Sequence, residues 1–103
     1  MVVTNRELIR RAKALVRPTK ISPEVSYGFV GCALLSENNN IYEGVNIDTA
    51  CGIGFCAEHS AIASMITKGE SRIKKIVAVS GNGILPPCGR CREFMYQINE
   101  KNR

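Results

Sequence analysis

No run of this 103-residue sequence stays apolar for the roughly 18 residues that a membrane-spanning helix needs, and its start lacks the apolar block of a secretory signal. A soluble, cytoplasmic protein with no membrane partner is therefore expected. Low-complexity tracts and internal repeats are absent as well, which excludes repeat arrays. The chain is too short for two cores, so a single domain over residues 1–103 is expected. An even number of cysteines is also lacking. The five present (Cys32, Cys51, Cys56, Cys88 and Cys91), in a chain without a secretion signal, read as thiols or metal ligands rather than as a disulfide framework.

Acidic charge is scarce in one place only. Residues 1–20 hold Arg6, Arg10, Arg11, Lys13, Arg17 and Lys20 against Glu7, while the other 83 residues carry eight charges of each sign, so the net charge of +5 lies entirely at the start. A polynucleotide groove spreads basic residues along a face; an excess confined to one terminal segment reads instead as the solvated side of a helix. Nucleic acid is accordingly not the expected partner. With 45% apolar and 22% charged residues, what remains is the composition of an ordinary folded domain.

Leu8, Ile9, Ala12, Leu15 and Val16 repeat with helical spacing, which predicts a first helix over residues 4–17, capped by Thr4 or Asn5 and stopped by Pro18. Residues 29–35 form an apolar run, Asn38-Asn39-Asn40 a turn, and Ile41, Tyr42, Val45 and Ile47 a second strand, together a β-hairpin. After a glycine-bearing loop, Ala57, Ala61, Ile62, Met65 and Ile66 resume helical spacing, with Gly69 as the C-terminal cap. Residues 73–79 read as a buried strand joined to the hairpin by a β-α-β crossover, residues 81–87 as a loop, and residues 88–100 as a last helix. The expected class is α/β, a sheet of at least three strands with helices packed on it.

Two short motifs carry chemistry. Cys88-Gly89-Arg90-Cys91 opens the last predicted helix, where unpaired N–H groups and the helix dipole favour thiolates that can grip one metal ion; redox pairs and structural zinc knuckles share this spacing. Cys56-Ala57-Glu58-His59 opens the preceding helix in the same way. Cys56 would add a third thiolate. Zinc held by three protein ligands keeps one position open for water, and Glu58, two residues beyond Cys56, can exchange a proton with that water. A fourth protein ligand, from Cys51 or His59, would instead make a closed structural site and a non-catalytic, zinc-stabilised binding module. The joint pattern of C-x-E followed by P-C-x-x-C is the signature of zinc deaminases.

The chain resembles the cytidine deaminase family over about residues 27–97. Besides the zinc motif, Val30-Gly31-Cys32-Ala33-Leu34-Leu35 is similar to the family's V-G-A-A-L strand. Gly44 through Ala50 is similar to G-x-N-I-E-N-A, and Cys88 through Glu93 to P-C-G-x-C-R-Q. The resemblance implies a three-layer α/β/α sheet with helices on both faces and a Zn2+ ion on Cys56, Cys88 and Cys91. It gives Glu58 the role of proton shuttle, and places Asn46 and Asp48 at the ribose 3′-hydroxyl. The Ala57 N–H and the Pro86 carbonyl would fix the pyrimidine ring and the departing ammonia. It further implies hydrolysis of cytidine or deoxycytidine to the uracil nucleoside and ammonia, by a homo-oligomer for which a tetramer is favoured over a dimer.

Three positions and the chain length depart from the family pattern. Gly28 stands where an aromatic residue usually stacks on the base, His59 replaces an Arg, Glu93 replaces a Gln, and family members continue for another strand beyond the last helix, so the expected sheet is either shortened at its C-terminus or completed by a further C-terminal segment. Blasticidin-S deaminases share P-C-G-R-C-R and also lack the stacking aromatic and the Arg. A non-standard cytosine nucleoside such as blasticidin S is the alternative substrate.

Overall fold

Thr4 starts the first helix, α1 (Asn5–Ala14): its Oγ1 accepts the Glu7 N–H at 3.2 Å, which satisfies one of the helix's unpaired donors. The computed structural model describes residues 4–49, 54–81, 83–85 and 98. Helix α1 stops three residues short of the expected end. The N–H groups of Leu15 and Val16 bond back only to Ala12 and Lys13, each at 3.1 Å, a tightened last turn ahead of Pro18, which cannot donate and forces the residue before it to extend.

Among the described residues five strands form one sheet, antiparallel at every pairing: β1 (Thr19–Lys20), β2 (Val25–Ser36), β3 (Ile41–Thr49), β4 (Ile73–Ser80) and β5 (Gly83–Leu85). Strand β2 is the centre. It pairs with β3 along one edge and with β1 and β4 along the other, and β5 follows β4. The hairpin expected around the Asn tract is the β2–β3 pair, with Asn39 taking the left-handed conformation of its turn (φ 66°). Because β3 and β4 are both antiparallel to β2, they run parallel to each other. The second helix, α2 (Ala57–Thr67), is the crossover that joins them. At its end the Gly69 N–H bonds to Ile66 and the Glu70 N–H to Met65, at 2.8 and 3.1 Å, which closes the helix where expected. Strand β1, and β5 within the segment read as a loop, are the elements that sequence periodicity did not show.

Alternation along β2 divides the core between two layers. Cys32 and Leu34 face α2 and pack with Ala57, Ala61, Ile62 and Met65. Ala33 and Leu35 face the opposite way, against Leu8 and Ala12 of α1, together with Val79. Helices therefore cover both faces of the sheet, the three-layer arrangement expected. Of the predicted last helix, Ile98 is helical and packs on the α2-side cluster, while the rest of residues 88–100 lies outside the described residues. Among the described residues no helix is long and apolar enough to cross a membrane.

Candidate active site at the start of α2

Helix α2 begins on β3 and is pinned there. Gly44 lies beneath it, and a Cβ at that position would stand 2.4 Å from the Ala61 nitrogen, so only glycine allows helix and strand to approach this closely. Ser60 donates its hydroxyl to the Val45 carbonyl at 2.7 Å. Just before the helix, Ile47 and Phe55 exchange backbone hydrogen bonds at 3.0 Å each, and Gly54 donates to the Thr49 hydroxyl at 3.1 Å. These contacts fix the residue that follows, Cys56.

Cys56 is the N-cap of α2, with extended backbone (φ −73°, ψ 159°), half-buried, and its side chain makes no capping bond to the helix. A Ser, Thr, Asn or Asp would normally stand here to accept an N–H. A cysteine at this place puts a thiol beside the positive end of the helix. Ala57 is the first helical residue, where a backbone N–H has no acceptor within the helix. Glu58 follows in the first turn and is only 5% exposed, a rare degree of burial for a carboxylate. One feature was not singled out from the sequence: Cys32 of β2 lies fully buried in the cluster beside Ala57. Its thiol pKa is pushed well up by burial and, secondarily, by the negative charge of Glu58. The signal was available in the strand alternation, which turns residue 32 toward α2.

By the same alternation Gly44, Asn46 and Asp48 share the face of β3 that meets α2. Asn46 is 8% exposed; its Oδ1 accepts the Val30 N–H at 2.9 Å and its Nδ2 donates to Asp48 Oδ2 at 3.2 Å. Asp48 itself is exposed. The two positions expected to hold a sugar hydroxyl are thus joined to each other.

Gly28, the position of the missing aromatic, has a positive φ of 86°, and a Cβ there would stand 2.3 Å from the Arg17 carbonyl oxygen. The chain leaving α1 occupies the space into which a side chain would grow.

Cys88, Cys91, Pro86 and Cys51 lie outside the described residues, and among the described residues no three of His, Cys, Asp and Glu gather as a metal cage. The part that is described fits a zinc site. Cys32 and Cys56 carry thiols rather than disulfides. Burial keeps Cys32 protonated, whereas Cys56, partly open at a helix N-terminus, is suited to bind metal as a thiolate.

The model of the family described as the cytidine and deoxycytidylate deaminase zinc-binding region matches residues 3–102. A probable cytidine deaminase of Dictyostelium discoideum is 35% identical over 74 residues, covering 69% of this chain and 50% of that protein. The cytidine deaminase of Sporosarcina psychrophila is 38% identical over 71 residues, covering 67% and 52% respectively. Among solved structures, the cytidine deaminase from Mycobacterium leprae superposes with a TM-score of 0.77 at 31% identity, over 93% of this chain and 81% of that one. The chain spans about half the length of the curated relatives it matches.

Proposed function

The chain belongs to the cytidine and deoxycytidylate deaminase family, and on that premise we propose that it is a hydrolase of C–N bonds that converts a cytosine nucleoside, cytidine or deoxycytidine, to its uracil counterpart and ammonia. The observation that carries the proposal is the placement of Glu58. A carboxylate 5% exposed, in the first turn of a helix and two residues beyond a thiol at its N-cap, is badly placed for stability and well placed for proton transfer.

Cys56, with Cys88 and Cys91, would hold the zinc ion. Zinc, when bound, supplies a Lewis acid that lowers the pKa of the water beside it. Glu58 accepts the proton that this water loses as its oxygen bonds to C4 of the ring. The same carboxyl returns that proton to ring nitrogen N3, takes the second proton from the hydroxyl now on C4 and, as the C4–N4 bond breaks, delivers it to the departing amine, so that one water enters and one ammonia leaves. The Ala57 N–H and the Pro86 carbonyl would orient the ring, and Asp48 would accept the hydrogen bond of the ribose 3′-hydroxyl. The active assembly is proposed to be a homo-oligomer, a tetramer before a dimer.

One observation favours a second substrate. With the Arg17 carbonyl in the place of a stacking side chain at Gly28, the base lacks the usual aromatic partner from this strand, and a larger nucleoside such as blasticidin S becomes the alternative. The test is ammonia release by the zinc-loaded protein from cytidine, deoxycytidine, blasticidin S and single-stranded DNA. Turnover of cytidine or deoxycytidine above the others supports the proposal. Preference for blasticidin S supports the alternative. Zinc binding without ammonia from any of the four contradicts both and points to a non-catalytic binding module.

A further inference from the structure

Helix α1 turns a stripe of one charge sign to solvent. Arg6, Arg10 and Lys13 recur at i, i+4 and i+7, within about 60° of one another around the axis, and all three are exposed. The buried residues of the helix, Leu8 and Ala12, lie on its opposite side. Two arginines have acidic partners: Arg10 pairs with Glu7, and Arg11, off the stripe, with Glu43 of β3. Among the described residues Arg6, Lys13, Arg17 and Lys20 form no ion pair. The chain leaving the helix then runs into a groove of about 420 Å³, in which Pro18, Pro23, Val25 and Phe29 supply apolar wall and Lys20 and Glu24 the charge. Phe29 is 43% exposed there, an aromatic ring left open where the basic segment ends.

From this we propose that the stripe and the groove together form a docking surface for an acidic segment of a partner protein, one that carries a large apolar side chain. Carboxylates of the segment stand against Arg6, Lys13 and Arg17, and the apolar side chain enters the groove against Phe29. An apolar anchor among complementary charges is the combination that lets a short segment bind specifically. Arg6 and Lys13 are about 10 Å apart along the helix, the span of three residues of extended chain. A polynucleotide fits less well. Its phosphates need positive charge continued beyond so short a row, and outside residues 1–20 the chain carries eight charges of each sign. The stripe lies on the side of the sheet away from Cys56 and Glu58, so binding here is independent of the proposed reaction.

The experiment follows by fluorescence anisotropy the binding of a labelled peptide of six glutamates and two leucines to the full chain. At low salt it should bind saturably, and at least about tenfold more tightly than the same peptide with glutamine for glutamate or with serine for leucine. Arg6→Glu combined with Lys13→Glu should weaken binding about tenfold or more. Lys68→Glu combined with Lys74→Glu, an equal change of charge at the end of α2 and on β4, should leave it within about twofold. Phe29→Ala should bring the affinity of the leucine peptide down to that of the serine peptide. If Phe29→Ala does not fold, the two peptides compared on the unmodified chain decide the role of the groove. Equal losses in the two charge reversals would show attraction to net charge alone and overturn the proposal. Equal affinity for the leucine and serine peptides, or no saturable binding at all, would overturn it too. A single-stranded RNA of equal charge, or vesicles of phosphatidylcholine with phosphatidylserine, should bind more weakly than the peptide. Tighter binding of either would overturn the proposal in favour of a surface for phosphates.

Discussion

At the scale of single residues, side-chain type and spacing point to the proposed chemistry, and backbone geometry shows what they concealed. Cys56 and Glu58 stood out in the sequence because a thiol and a carboxylate two residues apart suit a metal site at a helix start, and the structure places both at the start of α2. Gly28 was readable only as a departure, and its cause is three-dimensional: φ is 86° and the Arg17 carbonyl oxygen would stand 2.3 Å from a Cβ. Restoring an aromatic there should therefore fail. Gly28→Phe combines a left-handed backbone, which costs on the order of 1–3 kcal/mol for a non-glycine residue, with a clash against main chain, so a loss of at least about 2 kcal/mol is expected in urea unfolding. Unchanged stability would mean that the Arg17 segment moves aside readily and leaves the position open for stacking. The bond between Asn46 and Val30 was hidden for a related reason, since no periodicity announces the bulge between Tyr27 and Gly31, whose two extra residues break the alternation.

At the scale of elements, the two described helices and the three long strands followed from periodicity, caps and turn residues, whereas β1 and β5, of two and three residues, are too short to show a period of two. Thr4 was named as a cap and acts as one, so Thr4→Ala should cost about 1 kcal/mol in the same unfolding experiment. The connection between hairpin and crossover has its own fastening. The Glu70 carboxylate, just after α2, receives hydrogen bonds from the Tyr42 hydroxyl and, at 2.9 Å, from Asn40 Nδ2. Hydrogen bonds from Ser36, Tyr42 and Asn40, in that order, lower its pKa from 4.5 to about 2. A carboxylate depressed in the folded state stabilises fully above the unfolded pKa and loses that contribution as pH falls toward the folded one. The advantage of the unmodified chain over Glu70→Gln should accordingly be constant above about pH 5 and shrink between about pH 4.5 and 2. Parallel denaturation curves through that window would show that Glu70 is not held this way.

At the scale of the whole molecule, the sheet separates charge from chemistry. Helix α1 carries much of the basic excess and lies on one face, while Cys56 and Glu58 lie at the start of α2 on the other. Some of that charge is already engaged: Arg10 pairs with Glu7, and Arg11 with Glu43 of β3 at 3.0 Å. A cytosine nucleoside is neutral at pH 7, so long-range steering by this face contributes nothing to its capture. Reversing charge with Arg6→Glu and Lys13→Glu should leave kcat/KM for cytidine within about twofold at low salt, and a larger change would point to a phosphate-bearing substrate. The layered α/β/α order was legible because hairpin, helix and strand alternate along the chain. The pairing of β3 and β4 on opposite edges of β2 was not, since either edge satisfies the same periodicity. The proposed reaction converges on one carboxylate. The most direct test is ammonia release from cytidine by Glu58→Gln beside the unmodified chain, each with its zinc content measured. General acid and base steps are each worth about 10² to 10⁴, so the variant should bind equal zinc and turn over at least a hundredfold more slowly. A variant that retains a tenth of the activity at equal zinc would show that Glu58 does not move the proton.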